Sequence, residues 1–219
     1  MDFVIKSKEL QKSTMIFLHG LGDVGQSWAP LAYFIQEKIP SMKFIFPTAE
    51  TRAVTINSGM KMPAWYDLDS LSSRSQKELI GLEESSSRLE KIVKQEKQAN
   101  SIGSIFVGGF SQGGALALFT SLLRLNQKID GILGLSCYMP KPHLFPKELR
   151  PENKDTSILL CHGDSDPMVL PEWGKSTFNL LKNQNLKIEQ KIYPFLQHDI
   201  NRDELDDIRE WIEKRLKNN

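Results

Sequence analysis

Apolar and polar positions along this chain fall into two alternating kinds of block. Thr14-Met15-Ile16-Phe17-Leu18, Lys43-Phe44-Ile45-Phe46, Ser104-Ile105-Phe106-Val107-Gly108, the run from Ile129 to Ser136 and Ser157-Ile158-Leu159-Leu160-Cys161 are short and apolar, and predict strands buried on both faces. The stretch from Leu186 to Tyr193 predicts a further strand. Between these lie blocks with helical spacing. Residues Trp28 to Lys38 predict a helix stopped by Pro40, and Gly114 to Leu123 a buried one. Lys77 to Gln98 predicts a long helix with Leu79, Leu82, Leu89, Ile92 and Val93 on one stripe. Pro171 to Lys182 and Asp203 to Leu216 complete the set, the last with Leu205, Ile208, Ile212 and Leu216 aligned. Strand and helix in alternation imply an α/β chain, with a mostly parallel central sheet and helices on both faces. Without a repeat or a linker, residues 1–219 are expected to form one domain.

Two segments resist this pattern. A Pro-rich loop covers Pro140 to Asn153, and an irregular stretch runs from Thr48 to about Arg74. A structureless stretch of that length inside a compact domain is usually functional. Composition narrows the partners. With 28 basic and 27 acidic side chains, the net charge is +1, and no basic excess recruits nucleic acid or an anionic membrane. The N-terminal ten residues mix charged and apolar types, unlike a secretory leader, and no apolar run is long enough to span a bilayer. A cytoplasmic protein without integral membrane association is expected. Cys137 and Cys161 each follow an apolar run, which favours buried thiols over a disulfide.

The chemistry concentrates at Gly109-Phe110-Ser111-Gln112-Gly113, a G-x-S-x-G pentapeptide between a predicted strand and a predicted helix. A serine on so sharp a turn is the nucleophile elbow of the α/β-hydrolase fold. Its hydroxyl needs a base, oriented by a carboxylate, and in this fold the chain order is serine, acid, histidine. Of the downstream histidines, His143 sits in the Pro-rich loop, and His162 precedes the acid candidates, which suits a packed structural role. His198 lies between the last strand and the last helix, where the base belongs. The loop after the strand ending at Cys161 offers two acids, Asp164 and Asp166, and the pattern leaves both open. A negatively charged tetrahedral intermediate also needs N–H donors. One is the backbone of Gln112, the residue after the nucleophile, and the other comes from the early loop His19-Gly20-Leu21-Gly22-Asp23.

Four motifs stand in order: Phe17-Leu18-His19-Gly20-Leu21-Gly22-Asp23, Pro63-Ala64-Trp65-Tyr66-Asp67, Gly108 to Ala115 and His162-Gly163-Asp164-Ser165-Asp166-Pro167. Together they resemble the acyl-protein thioesterase, lysophospholipase and carboxylesterase family of small serine hydrolases, from about Ser13 to Leu216. The resemblance implies Ser111 as nucleophile, His198 as base and Asp166 as the orienting acid. It implies oxyanion donors at the N–H groups of Leu21 and Gln112. It further implies hydrolysis of acyl thioesters or esters, on S-acylated proteins, lysophospholipids or small esters, with no metal or cofactor. Two positions depart from the family pattern: Asp199 replaces the usual serine after the base, and Tyr138 the usual tryptophan near the acyl site. Trp65, Tyr138 and Met168 are candidate substrate contacts. Val169, Phe195 and Leu196 are further candidates for an acyl channel, with ordinary packing the alternative. A short-chain carboxylesterase is the nearest rival reading. A non-catalytic lipid-binding module is remote, because every triad and oxyanion position is intact.

Overall fold

The computed structural model describes residues 2–70, 79–99 and 103–217. Its chain order is β1 (Phe3–Ile5), β2 (Ser13–Leu18), α1 (Ala29–Gln36), β3 (Met42–Phe46), β4 (Thr51–Val54), β5 (Met60–Pro63), α2 (Leu82–Ala99), β6 (Ser104–Phe110), α3 (Gln112–Leu123), β7 (Gly131–Leu135), β8 (Ser157–Gly163), α4 (Pro171–Lys182), β9 (Ile188–Tyr193) and α5 (Arg202–Leu216). Seven strands form one sheet in the order β1-β3-β2-β6-β7-β8-β9. Only β1 runs antiparallel to its neighbour; the other pairs are parallel. This is the α/β-hydrolase architecture.

The apolar runs are continuous because both faces of the sheet are covered. On β2, Ile16 and Leu18 face a core built with α2, α3 and α4, while Met15 and Phe17 face a second core built with α1 and α5. β6 and β8 divide in the same way. The chain winds outward from β2 to β3, then returns to place β6 on the other side of β2. The crevice at such a reversal, beyond the carboxyl ends of the strands, is where open α/β sheets bind ligands. The His19–Asp23 loop leaves β2 there, and Ser111 leaves β6 there.

Three segments differ from the sequence expectation. β1 forms in an N-terminal stretch that the apolar pattern leaves unassigned. The irregular stretch contains an antiparallel hairpin, β4 paired with β5, outside the main sheet. The long helix starts at Leu82, so Leu79 precedes it, in a turn that includes Gly81 at φ +93°. The expected start at Lys77 lies outside the described residues. Both cysteines are buried free thiols. Among the described residues, no helix is long and apolar enough to cross a membrane.

The start of α5 carries an unusual acid. Asn201 caps the helix, its side-chain oxygen accepting from the Glu204 N–H at 2.9 Å. The Glu204 side chain is fully buried, and neither carboxyl oxygen has a hydrogen-bond partner among the described residues. Burial pushes this carboxyl up to about 8; the negative charges of Asp199 and Asp207 add to the shift, and the Asn201 backbone opposes it. The folded chain therefore keeps this proton up to about pH 8, while the unfolded chain releases it near 4.5. Stability falls as pH rises through that window, by at most roughly 5 kcal/mol. Glu204→Gln should remove this loss. Melting temperatures of variant and wild type are expected to diverge between pH 5 and pH 9; curves that stay parallel would refute a Glu204 proton held by the fold.

Candidate active site

The elbow is built by close approach of backbone. Ser111 sits at φ 54°, ψ −120°, between the end of β6 and the first residue of α3. A Cβ on Gly109 would stand 2.5 Å from the Gly113 carbonyl carbon, and one on Gly113 would overlap the Leu18 carbonyl oxygen. Any side chain at either position would force the turn open, so the flanking glycines are steric requirements.

Three loops bring the predicted triad together. The Ser111 hydroxyl lies 3.0 Å from His198 Nε2, and His198 Nδ1 donates to Asp166 Oδ2 at 2.7 Å. The His198 ring rests on Phe110, with ring centroids 4.7 Å apart. Asp166 is buried, and its other oxygen accepts the backbone N–H groups of Met168 (2.8 Å) and Val169 (2.9 Å). Burial alone would raise the Asp166 carboxyl, but the nearby His162 ring and the hydrogen bonds from His198 and the Val169 backbone outweigh it and hold the group well below the usual carboxylate range. Asp164 acts on the backbone instead. Its Oδ1 accepts the Phe195 N–H at 2.7 Å and the Ser165 hydroxyl at 2.8 Å, which braces the loop that carries His198.

Ser111 and His198 open onto a cavity of about 340 Å³, whose lining includes Leu21, Gln112, Ile56, Met62, Tyr66, Leu68, Tyr138, Met168 and Val169. Gln112 is the first residue of α3, where backbone N–H groups have no acceptor within the helix. This arrangement suits a neutral acyl group whose carbonyl oxygen becomes negative during reaction.

Residues 1–216 match the family described as Phospholipase/Carboxylesterase. The chain belongs to the phospholipase/carboxylesterase family. It is 37% identical to acyl-protein thioesterase 1 homolog 1 of Dictyostelium discoideum, over 97% of each chain. It is also 37% identical to acyl-protein thioesterase 1 of Yarrowia lipolytica, over 97% of this chain and 96% of that one. The crystal structure of Arabidopsis thaliana SOBER1 shares the fold with a TM-score of 0.85 and 32% identity, covering 93% of this chain and 99% of that one. Zea mays acyl-protein thioesterase 2 gives 0.88 at 26% identity, covering 99% of each. Membership in the phospholipase/carboxylesterase family makes this chain a serine hydrolase of esters or thioesters.

Within this phospholipase/carboxylesterase site, the structure separates the other candidates. Tyr138, Met168 and Val169 line the cavity, whereas Trp65, Phe195 and Leu196 do not. Trp65 is only 2% exposed; its indole N–H donates to the His19 carbonyl at 2.9 Å and its ring lies on the His19 ring. It packs against His19, at the base of the loop that carries Leu21. Phe195 is 89% exposed at φ 60°, on the surface, and Leu196 packs into the core of α1 and α5. His19 accepts the Ala49 N–H at Nε2, and burial lowers its pKa, so it is a neutral structural group. His162 donates from Nε2 to the Val169 carbonyl at 2.7 Å and lies 3.5 Å from Asp166 Oδ2, behind the acid. His143 is exposed in its loop. Asp199 is exposed, and its Oδ1 accepts the Ile200 N–H at 2.8 Å.

Two features of the phospholipase/carboxylesterase site lay beyond sequence reasoning. The Gln112 side chain accepts the Trp65 N–H and donates to the Tyr66 carbonyl, both at 2.8 Å, so the residue after the nucleophile also holds the Pro63–Asp67 segment. The β4–β5 hairpin supplies Met62 and, through its turn, Ile56 and Asn57 to the cavity. The apolar residues of the hairpin, Ala53 and Val54 on β4 and Met60 and Met62 on β5, make runs too short to announce two strands.

Proposed function

We propose that this chain hydrolyses acyl thioesters and carboxylic esters through an acyl-enzyme on Ser111, within one cytoplasmic domain spanning 1–219. One observation carries the reading: an unbroken Ser111–His198–Asp166 hydrogen-bond chain opening on an apolar cavity. His198 Nε2 takes the Ser111 proton as Oγ attacks the acyl carbonyl. The oxygen, now negative, is held by the N–H groups of Leu21 and Gln112, each worth roughly 3 kcal/mol in the transition state. The imidazolium returns its proton to the leaving thiol or alcohol. Water then attacks the acyl-enzyme with His198 again as base, releasing the acid. Asp166 keeps the proton on Nδ1 and balances the imidazolium charge. The relatives' name, acyl-protein thioesterase, supports S-acylated proteins as substrates, and the family's description, Phospholipase/Carboxylesterase, supports lysophospholipids.

A fluorophosphonate probe tests this directly, because it phosphonylates only a serine activated in this way. Wild type is expected to label stoichiometrically and to release thiol from an acyl thioester, and Ser111→Ala to do neither. A folded wild type that fails to label sinks the proposal.

A further inference from the structure

The central sheet ends on an open strand. Among the described residues, β9 pairs only with β8, and its other side has no neighbour in the sheet. The strand at the far end, β1, has three residues, whereas β9 has six. A row of unpaired backbone groups of that length is a template for another strand. Two hydrogen bonds to β8 fix which residues offer it. The Ile158 N–H donates to the Lys187 carbonyl at 2.8 Å, and the Asp164 N–H to the Tyr193 carbonyl at 3.0 Å. Lys187, Glu189, Lys191 and Tyr193 therefore turn their backbone polar groups inward to β8, and Ile188, Gln190 and Ile192 turn theirs outward.

The side chains make this edge complementary to itself. Glu189 and Lys191 lie on the α5 face, where Arg215 donates to Glu189 at 2.5 Å and Lys191 to Asp207 at 3.1 Å. Ile188 packs on the α4 face, and Ile192, on the same face, is 49% exposed. A second β9 laid antiparallel, with a two-fold axis through Gln190, sets Ile188 opposite Ile192 and Glu189 opposite Lys191, each twice. The parity also fits. Ile188, Gln190 and Ile192 fall at hydrogen-bonded pairs, so every outward backbone group of the three finds a partner. The Glu189–Lys191 pairs fall at the alternate positions, where opposed side chains come closest. Moving the axis by one residue sets Lys191 against Lys191 or Glu189 against Glu189, and like charges directly opposite are destabilising. A lysine on an edge strand commonly guards against pairing, but here a glutamate answers it at the position it would meet.

We propose that β9 is a homodimer interface, in which two copies of this chain pair antiparallel about Gln190 and join their seven-stranded sheets into one. No residue of β9 lines the Ser111 cavity, so the interface is separate from the active site.

Sedimentation equilibrium of the full chain tests this. Wild type should sediment at twice the chain mass of 25.0 kDa. Gln190→Pro removes an outward N–H and no bond to β8, and Ile192→Asp sets a carboxylate where Ile188 of the second copy belongs. Each variant should keep the wild-type circular dichroism spectrum and sediment at 25.0 kDa over the dilution range in which wild type is dimeric. Cross-linking reads the register. Glu189→Cys and Lys191→Cys chains, mixed and oxidised, should form a disulfide-linked dimer, because opposed Cα atoms at such a pair stand about 4.5 Å apart. The mixed dimer also keeps one Glu189–Lys191 pair. Neither variant alone should cross-link, since each new thiol faces a charged residue and both native cysteines are buried. A wild type at 25.0 kDa at every concentration overturns the proposal, and so does a dimer that survives both substitutions. Self-cross-linking of either cysteine variant, or none in the mixture, overturns the axis at Gln190.

Discussion

Ser111→Ala and His198→Ala are each expected to lower kcat by about 10⁶, and the double variant to be no slower than either one. The reason lies in the 3.0 Å contact between Ser111 Oγ and His198 Nε2. Without the hydroxyl, the imidazole has no nucleophile to deprotonate; without the imidazole, the hydroxyl stays a neutral, weak nucleophile. Either loss removes the same step, so the second loss removes nothing more. What should remain in all three variants is the contribution of the proposed Leu21 and Gln112 donors and of the cavity, about 10³ to 10⁴ over water. Single-turnover thiol release from an octanoyl thioester measures this. Losses that add on a logarithmic scale, or a His198→Ala enzyme within tenfold of wild type, would show that the two groups do not act as a unit.

Asp166→Asn should lower kcat by about 10⁴ while leaving the fold intact. The surroundings of this carboxylate dictate how the amide must sit. Asp166 Oδ1 accepts two backbone N–H groups, from Met168 and Val169, so an asparagine keeps its oxygen there and turns its NH₂ toward His198. An NH₂ facing Nδ1 cannot accept a proton from it. The imidazole must then carry its proton on Nε2, where it donates toward Ser111 instead of accepting from it. Catalysis fails through the wrong tautomer, not through a displaced ring. The wild-type carboxyl is held well below the usual carboxylate range, so loss of activity in mildly acid solution is not expected to arise from Asp166. Comparing kcat and melting temperature for the two proteins checks the account. An Asp166→Asn enzyme within tenfold of wild type would exclude it, and so would a loss of activity fully explained by unfolding.

What the sequence disclosed follows from where the signals are local. β2, β6 and β8 are buried on both faces, so their composition betrays them without any pairing information. The elbow is a local steric object, and its glycines report it. β1 has three residues, too few to show a period. The β4–β5 hairpin has four residues in each strand, carries Arg52, Lys61 and Pro63 and stands apart from the main sheet, so it is too short and too polar to announce itself. The bracing contacts are harder still. Gln112 to Trp65 and Tyr66, Asp164 to Phe195, and Tyr66 to Tyr138 join positions far apart in the chain, and no spacing rule reaches across such distances. The same holds for Glu204, whose burial depends on how α5 docks and leaves no mark on an otherwise polar helix start.

The two buried cysteines give the protein a chemical division of labour. Burial pushes the thiols of Cys137 and Cys161 well above their ordinary pKa, and neither reaches the surface, so alkylating reagents meet no thiolate on the folded chain. Ser111 opens on the cavity and answers to electrophiles of another class. One sample can therefore carry two orthogonal reporters: phosphonylation counts the molecules with an assembled site, and alkylation counts those whose core has opened.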